Sequence, residues 1–296
     1  MKALITGASG MLGLNLTELL LEEGWDLTFM INPGSLRKRP WAKRLLEGDV
    51  IEARVEDFEG RLEVDVVFHL AAVMRGPTWK VNYLGTKNLL KRLSFDKFVF
   101  VSSVLALGDS LKKGAHENMP CEPRTGYERS KCEAEREVSK LEDFVIVRPG
   151  WIYGKYSINP DILNIVKSIR WGFAPILVDE KLPLALVNAK DVSAAMLHLV
   201  KKGAKGIFNV RGPRMYTMGE LIDVISSIMG KKALKLKIPR FAIGLYSKAV
   251  DVARYLLLAP EDVPIDKLRD HGFSPSIDLK SGMSEALSWM KEEGIL

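Results

Sequence analysis

A tyrosine and a lysine four residues apart have the clearest chemical potential in this sequence. If the segment between them is helical, Tyr127 and Lys131 lie on one face of the helix. A phenol, with a pKa of about 10, is a weak base at neutral pH, and a cation close by lowers that pKa. The phenol can then take a proton from a substrate hydroxyl, or donate one in the reverse direction. The spacing therefore predicts acid–base chemistry at an alcohol or a ketone.

Two serines end the strand-like run that precedes these residues. The run Phe98–Ser102 is followed by Ser103, and in a parallel sheet the active groups gather at the carboxyl ends of the strands. A serine hydroxyl at that edge can hydrogen-bond the substrate oxygen and orient it. A tyrosine and a lysine at this spacing also meet by chance on helix surfaces. Their position after a strand is what favours the catalytic interpretation over the structural one.

A glycine-rich turn near the N-terminus predicts the binding of a dinucleotide. The strand-like start of the chain runs into this turn, and a helical pattern follows directly. Gly7 permits the tight turn, Gly10 lets backbone amides approach a pyrophosphate, and Gly13 lets helix and strand pack closely. The helix N-terminus then faces the phosphates with its partial positive charge. The expected cofactor contacts are Gly7, Ser9, Gly10, Met11, Leu12 and Gly13.

The end of the second predicted strand bears on the choice of dinucleotide. Proteins that prefer NAD place an acidic residue about 20 residues after the glycines, where it bonds the ribose 2′-hydroxyl. Asn32 stands there in this chain and, unlike a carboxylate, does not repel a 2′-phosphate. Arg37, Lys38 or Arg39 could pair with that phosphate. The sequence thus favours NADP over NAD, the alternative being that these cations form a solvated loop.

The composition of the 296-residue chain bounds the other possibilities. With 47% hydrophobic residues it can bury a sizeable core. Its net charge of +6 is not gathered into a long basic stripe, so we expect no nucleic-acid binding. The two cysteines, Cys121 and Cys132, form no C-x-x-C motif, which predicts neither a metal site nor a disulfide framework. These features favour the cytoplasm as the location.

We expect neither a targeting segment nor a membrane span. The apolar start of the chain is too short for a signal peptide. The longest apolar stretch, Phe241–Ala259, is interrupted by Lys248, Asp251 and Arg254. A helix packed on the protein's own core is expected there, in preference to a helix on a membrane surface.

Short apolar runs alternate with helical patterns in the first half of the chain. This alternation is typical of βαβ units and predicts an α/β fold, with a doubly wound parallel (Rossmann) sheet and a smaller C-terminal substrate lobe. Residues 1-155 would form the dinucleotide-binding domain, with 184-210 returning to it, and 156-183 and 211-296 the substrate lobe. The predicted strands are Lys2–Thr6, Leu27–Ile31, Val50–Val55, Val64–Leu70, Phe98–Ser102, Phe144–Arg148 and Gly206–Val210.

Together these segments resemble the extended short-chain dehydrogenase/reductase family. That family includes nucleotide-sugar epimerases and dehydratases, hydroxysteroid dehydrogenases and dihydroflavonol reductases. The matches follow the family's order across about half the chain. They are Thr6-Gly7-x-x-Gly10-x-x-Gly13, His69–Ala72, Val81–Thr86, Ser102–Ser103 with Gly108, Tyr127-x-x-x-Lys131, and Arg148–Pro149 before Tyr153–Gly154.

The resemblance implies catalytic roles by position. Ser103, rather than Ser102, matches the catalytic serine, and Tyr127 matches the acid–base residue. Lys131 would also bond the nicotinamide ribose. Asn82 matches a residue that helps to order a proton-relay water.

The resemblance also implies further cofactor contacts and an assembly. Asp57 and Phe58 match an adenine contact, Ala71 and Ala72 would line the cofactor, and Pro149 would sit beside the nicotinamide. The family suggests a homodimer formed through the helices that begin near Trp79 and Tyr127. His69 matches a structural residue rather than a catalyst.

Some positions depart from the pattern of nucleotide-sugar epimerases. Those enzymes tend to carry an arginine seven residues before the aspartate that Asp191 matches, and it grips the nucleotide phosphates. Leu184 stands there, although Lys181 or Lys190 could take its place. The C-terminal region, where 238–239 opens a long apolar helical pattern, looks more like the hydroxysteroid and dihydroflavonol branch.

Three functions therefore remain open. The favoured one is an NADP- or NAD-dependent oxidoreductase that interconverts a secondary alcohol and a ketone in a small-molecule substrate. The alternative is a nucleoside-diphosphate-sugar epimerase or dehydratase with tightly bound NAD. A non-catalytic dinucleotide sensor is the third, but such relatives usually lose the tyrosine or the lysine, and both are present here.

Overall fold

The computed structural model describes residues 1–46, 48–176, 179–238 and 260–296. The helix predicted within 240–258 lies outside these ranges. The strands are β1 (Lys2–Thr6), β2 (Asp26–Ile31), β3 (Asp49–Glu52), β4 (Leu62–His69), β5 (Leu93–Val101), β6 (Phe144–Pro149), β7 (Trp151–Tyr153), β8 (Phe173–Ile176), β9 (Pro183–Leu184), β10 (Leu186–Asn188), β11 (Gly206–Val210), β12 (Tyr216–Thr217) and β13 (Leu234–Lys237).

Helices connect these strands. The α-helices are α1 (Met11–Glu22), α2 (Ser35–Lys38), α3 (Gly85–Arg92), α4 (Gly126–Val138), α5 (Pro160–Arg170), α6 (Ala189–Lys201), α7 (Met218–Met229), α8 (Asp266–Asp270) and α9 (Leu279–Glu292). A π-helical segment, Trp79–Leu84, leads into α3, and 3₁₀ helices span Pro40–Arg44, Val104–Leu107 and Asp109–Lys113.

Seven parallel strands form the central sheet, which confirms the predicted α/β, doubly wound architecture. Their order is β11-β6-β5-β4-β1-β2-β3. The chain runs outward from β1 in one direction through β2 and β3, and then in the other from β4 to β11. The strand order reverses beside β1, and open α/β sheets bind ligands at the carboxyl ends of the strands flanking such a point.

Apolar residues on both faces of the strands explain why the strand signals are continuous rather than alternating. In β1, Ala3 and Ile5 pack into one apolar cluster, which includes side chains of α1 and α6. Leu4, between them, packs into a second cluster that includes Ala134 and Val138 of α4. Helices therefore cover both faces of the sheet, as expected for buried parallel strands.

One strand begins earlier than its pattern predicts. β5 begins at Leu93, directly after α3, and not at Phe98. The charged Lys97 interrupts the apolar run, so the sequence alone places the strand after it. In the fold Lys97 is nevertheless buried, because its ammonium forms an ion pair with Asp143 and donates to the Ala204 carbonyl (3.1 Å).

The register places the predicted motifs at one edge of the sheet. Thr6 of β1 is paired with His69 of β4, His69 with Phe100 of β5, and Val101 with Val147 of β6. The glycine turn, the segment after β4 and the serines after β5 therefore emerge side by side. A helix that could cross a membrane is absent from the described ranges.

Candidate active site

Two glycines in the first turn are required by close backbone approaches. Gly7 has a φ of 69°, which is in the left-handed region, and a Cβ there would lie 2.9 Å from the backbone of Ala71. A Cβ on Gly13 would lie 2.5 Å from the carbonyl oxygen of Ala8 and 2.6 Å from that of Gly7. Side chains at these positions would thus collide with backbone, and the turn stays narrow against α1.

The N-terminus of α1 faces the open edge of the sheet without a side-chain cap. Its N-cap is Gly10, and no side chain of the described residues caps the first turn, which also lacks acidic residues. The amides of Met11, Leu12 and Gly13 have no partner within the helix and form its positive end. Ser9, just before the cap, is buried. The turn therefore fits a dinucleotide pyrophosphate.

A single arginine approaches this turn from the segment after β2. Asn32 and Arg37 are exposed, whereas Arg39 is half-buried and its Nη1 lies 3.5 Å from Oγ of Ser9. Burial lowers the pKa of the Arg39 guanidinium, which still stays protonated at neutral pH. No carboxylate of the described ranges forms an ion pair with it within 4.0 Å. Of the three cations predicted for a 2′-phosphate, Arg39 is the one aimed at the cofactor turn.

The residues that match an adenine contact follow β3. Asp57 is exposed, and its carboxylate lies 3.2 Å from the ammonium of Lys80. Phe58 is buried in the apolar cluster on the α4 face, and its carbonyl accepts a hydrogen bond from Asn88 (2.8 Å). Asp57 can thus reach a ligand, whereas the Phe58 side chain belongs to the core. Their contact with adenine stays a prediction.

The remaining predicted cofactor residues lie where β4 and β6 end. The Ala71 amide donates to Oγ1 of Thr6 (3.2 Å), which holds it against the glycine turn, and Ala72 beside it is exposed. Pro149 ends β6 and is buried. A Cβ on the next residue, Gly150, would overlap the Ala185 carbonyl. The sheet edge therefore brings these residues to the side of the site where Ser103 emerges.

A buried chain of hydrogen bonds connects the glycine turn to Asn82. The hydroxyl hydrogen of Thr86 is donated to the Asn82 carbonyl (2.6 Å). The Thr86 oxygen therefore accepts from His69, whose Nε2 is the donor (2.9 Å). Nδ1 of His69 then accepts from Thr6 (2.7 Å). Burial, helped by the charge of Lys131, lowers the pKa of His69 to about 3. At that pKa the imidazole is neutral near pH 7, and its two hydrogen bonds join β1 to α3, while its purely structural role stays a prediction.

The side-chain amide of Asn82 forms three hydrogen bonds inside the protein. Its Oδ1 accepts from the Val73 amide (2.8 Å), and its Nδ2 donates to the Val73 carbonyl (2.9 Å) and to Oγ of Ser130 (3.0 Å). Asn82 thus connects the segment after β4 to the helix that carries Tyr127. Its role in ordering a water stays a prediction.

Tyr127 lies in the first turn of α4, where the sequence places it. Thr125 is the N-cap, and it forms a capping box with Glu128 that fixes the start of the helix. Ser130 Oγ donates to the Tyr127 carbonyl (2.8 Å). Tyr127 is buried, with 8% of its surface exposed, as is Ser103. The helix start therefore holds Tyr127 at a sheltered position beside the edge of the sheet.

Lys131 points from α4 to the end of β5. Its side chain is 2% exposed, and its Nζ donates to the carbonyl of Val101 (2.7 Å) and lies 4.7 Å from the Phe100 ring centroid. Burial lowers the pKa of Lys131 to about 7, and the charge of Glu135 partly opposes that shift. Near neutral pH the ammonium is therefore poised between its charged and neutral forms.

The two serines after β5 differ in their bonding. Oγ of Ser103 accepts from the Leu105 amide (3.2 Å), and the residue has extended backbone (φ −164°, ψ 150°). Oγ of Ser102 is buried and has no hydrogen-bond partner among the described residues. Lys131 donates to the carbonyl of Val101, which is two residues before Ser103. The fold therefore places the ammonium at the strand end that leads to Ser103. The choice of Ser103 as the catalytic serine stays a prediction.

A buried ion pair behind the site was not visible in the sequence. Arg148, next to Pro149, donates from Nε to Oε1 of Glu135 (2.9 Å) and from Nη2 to Oε2 (2.6 Å). Both side chains are buried, and the pair ties α4 to the end of β6. The sequence motif Arg148–Pro149 identified the arginine of this pair. Its partner, 13 residues earlier, depends on the packing of a helix on a strand.

Nucleotide-sugar epimerases tend to carry a phosphate-gripping arginine at the position of Leu184. In this structure the leucine lies in an apolar environment. Leu184 is buried in β9, paired with Tyr216 of β12. Of the two candidate substitutes, Lys190 is engaged, because its Nζ bonds Glu285 (2.5 Å). Lys181 is exposed. Within the described ranges, no cluster of three or more His, Cys, Asp or Glu side chains could hold a metal ion.

Comparisons with known proteins agree on the family. The model of the NAD dependent epimerase/dehydratase family matches residues 3–210. A putative dihydroflavonol 4-reductase of Synechocystis is 24% identical over 98% of this chain and 94% of its own length. A putative UDP-glucose 4-epimerase of Methanocaldococcus jannaschii is also 24% identical, over 97% and 98% of the two chains.

Solved structures agree on the fold. UDP-glucuronic acid 4-epimerase from Bacillus cereus, in complex with UDP-glucuronic acid and NAD, superposes with a TM-score of 0.78. The match covers 99% of this chain and 100% of that one at 20% identity. At this identity the likeness establishes the architecture alone.

Proposed function

Because the chain belongs to the NAD-dependent epimerase/dehydratase family, we propose that it is an NAD(P)-dependent oxidoreductase that interconverts a secondary alcohol and a ketone. The observation that carries the proposal is Lys131, buried on α4 one turn after Tyr127 and bonded to the strand end that leads to Ser103. A buried lysine with a pKa lowered to about 7 at a sheet edge is typical of a functional site.

Each residue of the site has one task in this chemistry. A bound nicotinamide dinucleotide supplies or accepts the hydride. Ser103 would hydrogen-bond the substrate oxygen, and Tyr127 would donate its proton to that oxygen during reduction, or take it during oxidation. The charged form of Lys131 favours the phenolate of Tyr127.

Residues 1-155 and 184-210 would form the cofactor domain, and 156-183 and 211-296 the substrate lobe.

The apolar Leu184 at the position of the phosphate-gripping arginine favours a ketone or an alcohol without a nucleotide. Arg211, a buried cation of the C-terminal half, pairs with Asp262 (3.2 Å) and donates to the Val263 carbonyl (3.0 Å). A buried Leu184, together with Lys190 and Arg211 that already pair with carboxylates, fits an uncharged carbonyl compound better than a nucleoside diphosphate.

An epimerase or dehydratase with retained NAD is the second candidate. It is supported by the putative UDP-glucose 4-epimerase, which aligns over nearly the full length of both chains. Such an enzyme oxidises and re-reduces one substrate, so its cofactor has no need to leave. The two candidates therefore differ in how firmly the dinucleotide is held.

The test is to purify the protein without added cofactor, denature it and identify any released dinucleotide by mass spectrometry. An empty protein that reduces ketones from a panel with NADPH supports the oxidoreductase. Stoichiometric NAD⁺ or NADH in the purified protein, with no turnover of ketones or secondary alcohols, would contradict it and favour the second candidate. A protein that binds the dinucleotide but turns over neither the ketones and secondary alcohols nor nucleoside-diphosphate sugars would be a sensor.

We propose that Arg39 makes NADP the preferred dinucleotide. Its guanidinium lies beside Ser9, with no ion pair among the described residues, so it can take a 2′-phosphate. Glu52, at the end of β3, accepts from the Gly34 amide (3.3 Å) and brings a carboxylate to the start of this segment, so the preference for NADP rests on the Arg39 charge beside Ser9.

Replacing Arg39 by alanine tests this preference. We expect the Kd for NADPH to rise about 10- to 100-fold, as for the loss of one charged hydrogen-bond pair, and the Kd for NADH to change little. Fluorescence titration of both dinucleotides measures the two values. Lys38→Ala removes an exposed cation from the same segment and serves as the matched control. Equal weakening of NADPH and NADH binding by Arg39→Ala would contradict the assignment.

We also propose a homodimer that buries the exposed aromatic face of the π-helical segment. Trp79 and Leu84 are both 44% exposed, and the Trp79 ring lies 4.4 Å from that of Tyr83 between centroids. Exposed apolar groups of this size on adjacent turns are typical of an interface. Trp79→Asp is expected to convert the dimer to a monomer in light scattering. A wild-type monomer at micromolar concentration, or an unchanged mass for the variant, would contradict the proposal.

A further inference from the structure

A small two-stranded sheet in the C-terminal half presents an apolar face to solvent. β8 and β13 pair in parallel, with Phe173 opposite Leu234 and Pro175 opposite Leu236. Paired residues of neighbouring strands, and every second residue along one strand, share a face of a sheet. Phe173, Leu234 and Leu236 are all exposed, Leu234 by 67%. Apolar side chains therefore cover this face, and nothing in the described ranges buries them.

Trp171 extends the apolar face beyond the start of β8. It directly follows α5 and is 81% exposed, the largest value for any large apolar side chain of the described ranges. The Leu234 amide donates to the Gly172 carbonyl (2.9 Å), which holds the connection that carries Trp171 against the start of β13. The indole is thus fixed in solvent beside the leucines. Clustered apolar groups of this size are typical of an interaction surface.

Basic residues lie at the same end of the small sheet, where two helices finish. Lys167 and Arg170 are in the last turn of α5, and Lys231 and Lys232 follow the end of α7. α5 contacts α7, and the strands that follow these helices begin side by side, so the four cations collect next to Trp171. All four are exposed, and none forms an ion pair within 4.0 Å with the described residues. Their charge can therefore meet an external anion.

Acidic side chains near this sheet are matched by lysines of β13. Lys235 alternates with the exposed leucines and so faces the other side of the sheet, where its Nζ lies 2.9 Å from Asp223 and 3.7 Å from Glu180. The charge of Lys237 acts on Asp179 in the same way. These carboxylates therefore leave the four cations at the helix ends without a counter-charge.

An exposed indole beside leucines and unpaired cations fits the surface of an anionic lipid bilayer. Tryptophan is enriched where a membrane meets water, and anionic headgroups attract lysine and arginine near the surface. A second copy of the same face is a poorer match, because it would bring cations of like sign together, and lysine is depleted from the cores of protein interfaces. The charge of the face thus selects the lipid surface as its occupant.

We propose that this face docks the protein on an anionic bilayer. The docking face consists of Trp171, Phe173, Leu234 and Leu236, with the four cations at the ends of α5 and α7. The apolar side chains enter the boundary between headgroups and acyl chains, and the cations contact lipid phosphates. The binding is peripheral and reversible, and it does not depend on the proposed catalytic function.

The experiment measures co-sedimentation of the native full chain with vesicles of equal parts phosphatidylserine and phosphatidylcholine, and with vesicles of phosphatidylcholine alone. We expect binding to the mixed vesicles at low ionic strength and much weaker binding to the neutral ones. High salt should release the protein, because salt screens attraction between exposed charges. Tryptophan emission should shift to shorter wavelength on binding, and this shift should be absent in Trp171→Ser.

Two variants separate the apolar contribution from the charge. Trp171→Ser is expected to weaken binding to the mixed vesicles about 10-fold or more, because a large apolar side chain no longer enters the lipid. The double change Lys231→Gln and Lys232→Gln is expected to weaken it about 10- to 30-fold. Leu21→Ser, at an exposed leucine of α1, and Lys91→Gln, at an exposed lysine of α3, are the matched controls and should bind like the wild type.

Three results would overturn the proposal. One is a wild-type protein that stays in the supernatant with the mixed vesicles at low ionic strength. Another is equal binding to mixed and neutral vesicles, which would contradict recognition of anionic lipid. The third is an oligomer that Trp171→Ser dissociates, which would show that the face joins two copies of the chain. The first two are read from the wild-type chain, so the test stands even if a variant fails to fold.

Discussion

Replacing Tyr127 by phenylalanine is expected to lower kcat by about 10³- to 10⁴-fold, within the range for loss of a general acid–base group. The substitution removes the phenolic oxygen and keeps the aromatic ring in the first turn of α4. The groups that would hold the dinucleotide, around Gly7, Gly13 and α1, remain. Binding of the dinucleotide is therefore expected to change little. Turnover of the ketone identified by the panel and fluorescence titration of the cofactor measure the two properties separately.

Tyr83→Phe is the matched control for this variant. Tyr83 makes a tilted ring contact with Trp79 in the π-helical segment, and the change removes a phenolic oxygen from a site outside the proposed chemistry. It should retain full turnover. Undiminished turnover in Tyr127→Phe would show that the tyrosine takes no part in the mechanism. Loss of cofactor binding together with turnover would show that its role is structural.

Replacing Lys131 by methionine is expected to reduce kcat/KM by about 10²-fold or more and yet stabilise the free protein at low pH. The loss of activity follows because the charge that favours the Tyr127 phenolate is gone. The gain in stability follows because a charged, desolvated ammonium no longer has to be accommodated. Methionine keeps an unbranched, apolar side chain of similar length at this position, where the Lys131 Nζ lies over the Phe100 ring.

The sign of the pH effect follows from the lowered pKa. Lys131 has a pKa of about 7 in the fold, against 10.5 for the ordinary side chain. Between these values the unfolded chain binds the additional proton, so the stability of the wild-type protein rises with pH in this window. Below pH 7 the full cost of the buried charge is present, and above 10.5 it vanishes.

Chemical denaturation of the two proteins at pH 6 and pH 10 measures the effect. The variant is expected to be more stable by about 1–3 kcal/mol at pH 6, less than the whole cost of the charge because the bond to Val101 is lost. The difference should shrink toward pH 10. Lys140→Met, at an exposed lysine that pairs with Glu137 (3.0 Å), should change stability by less than about 0.5 kcal/mol at both pH values. Equal differences at both pH values for Lys131→Met would contradict a buried, shifted lysine.

Local sequence patterns narrow the choice of cofactor and of substrate class, but they do not decide either one. Asn32 indicates that a 2′-phosphate is not repelled, but three neighbouring cations fit the sequence equally well. Only the path of the chain after β2 turns Arg39 toward Ser9 and leaves Arg37 in solvent. In the same way the sequence shows that Leu184 cannot bind a phosphate, but not that Lys190 is engaged by Glu285.

The sequence by itself determined the features that depend on neighbours along the chain. The glycine turn, the apolar strands and the spacing of Tyr127 and Lys131 are local, because a turn needs particular φ angles and a helix repeats every few residues. These features predicted the doubly wound sheet, which the structure confirms. They also placed the motifs at strand ends, where a parallel sheet gathers them.

Only the tertiary structure decided which distant groups meet. The Lys131–Val101 bond and the Arg148–Glu135 ion pair each join two elements packed on one another. Such contacts depend on helix rotation and strand register, which change with the packing of the whole core. Burial also decides charge, since the lysine that solvent would keep protonated has a pKa near neutrality inside the fold.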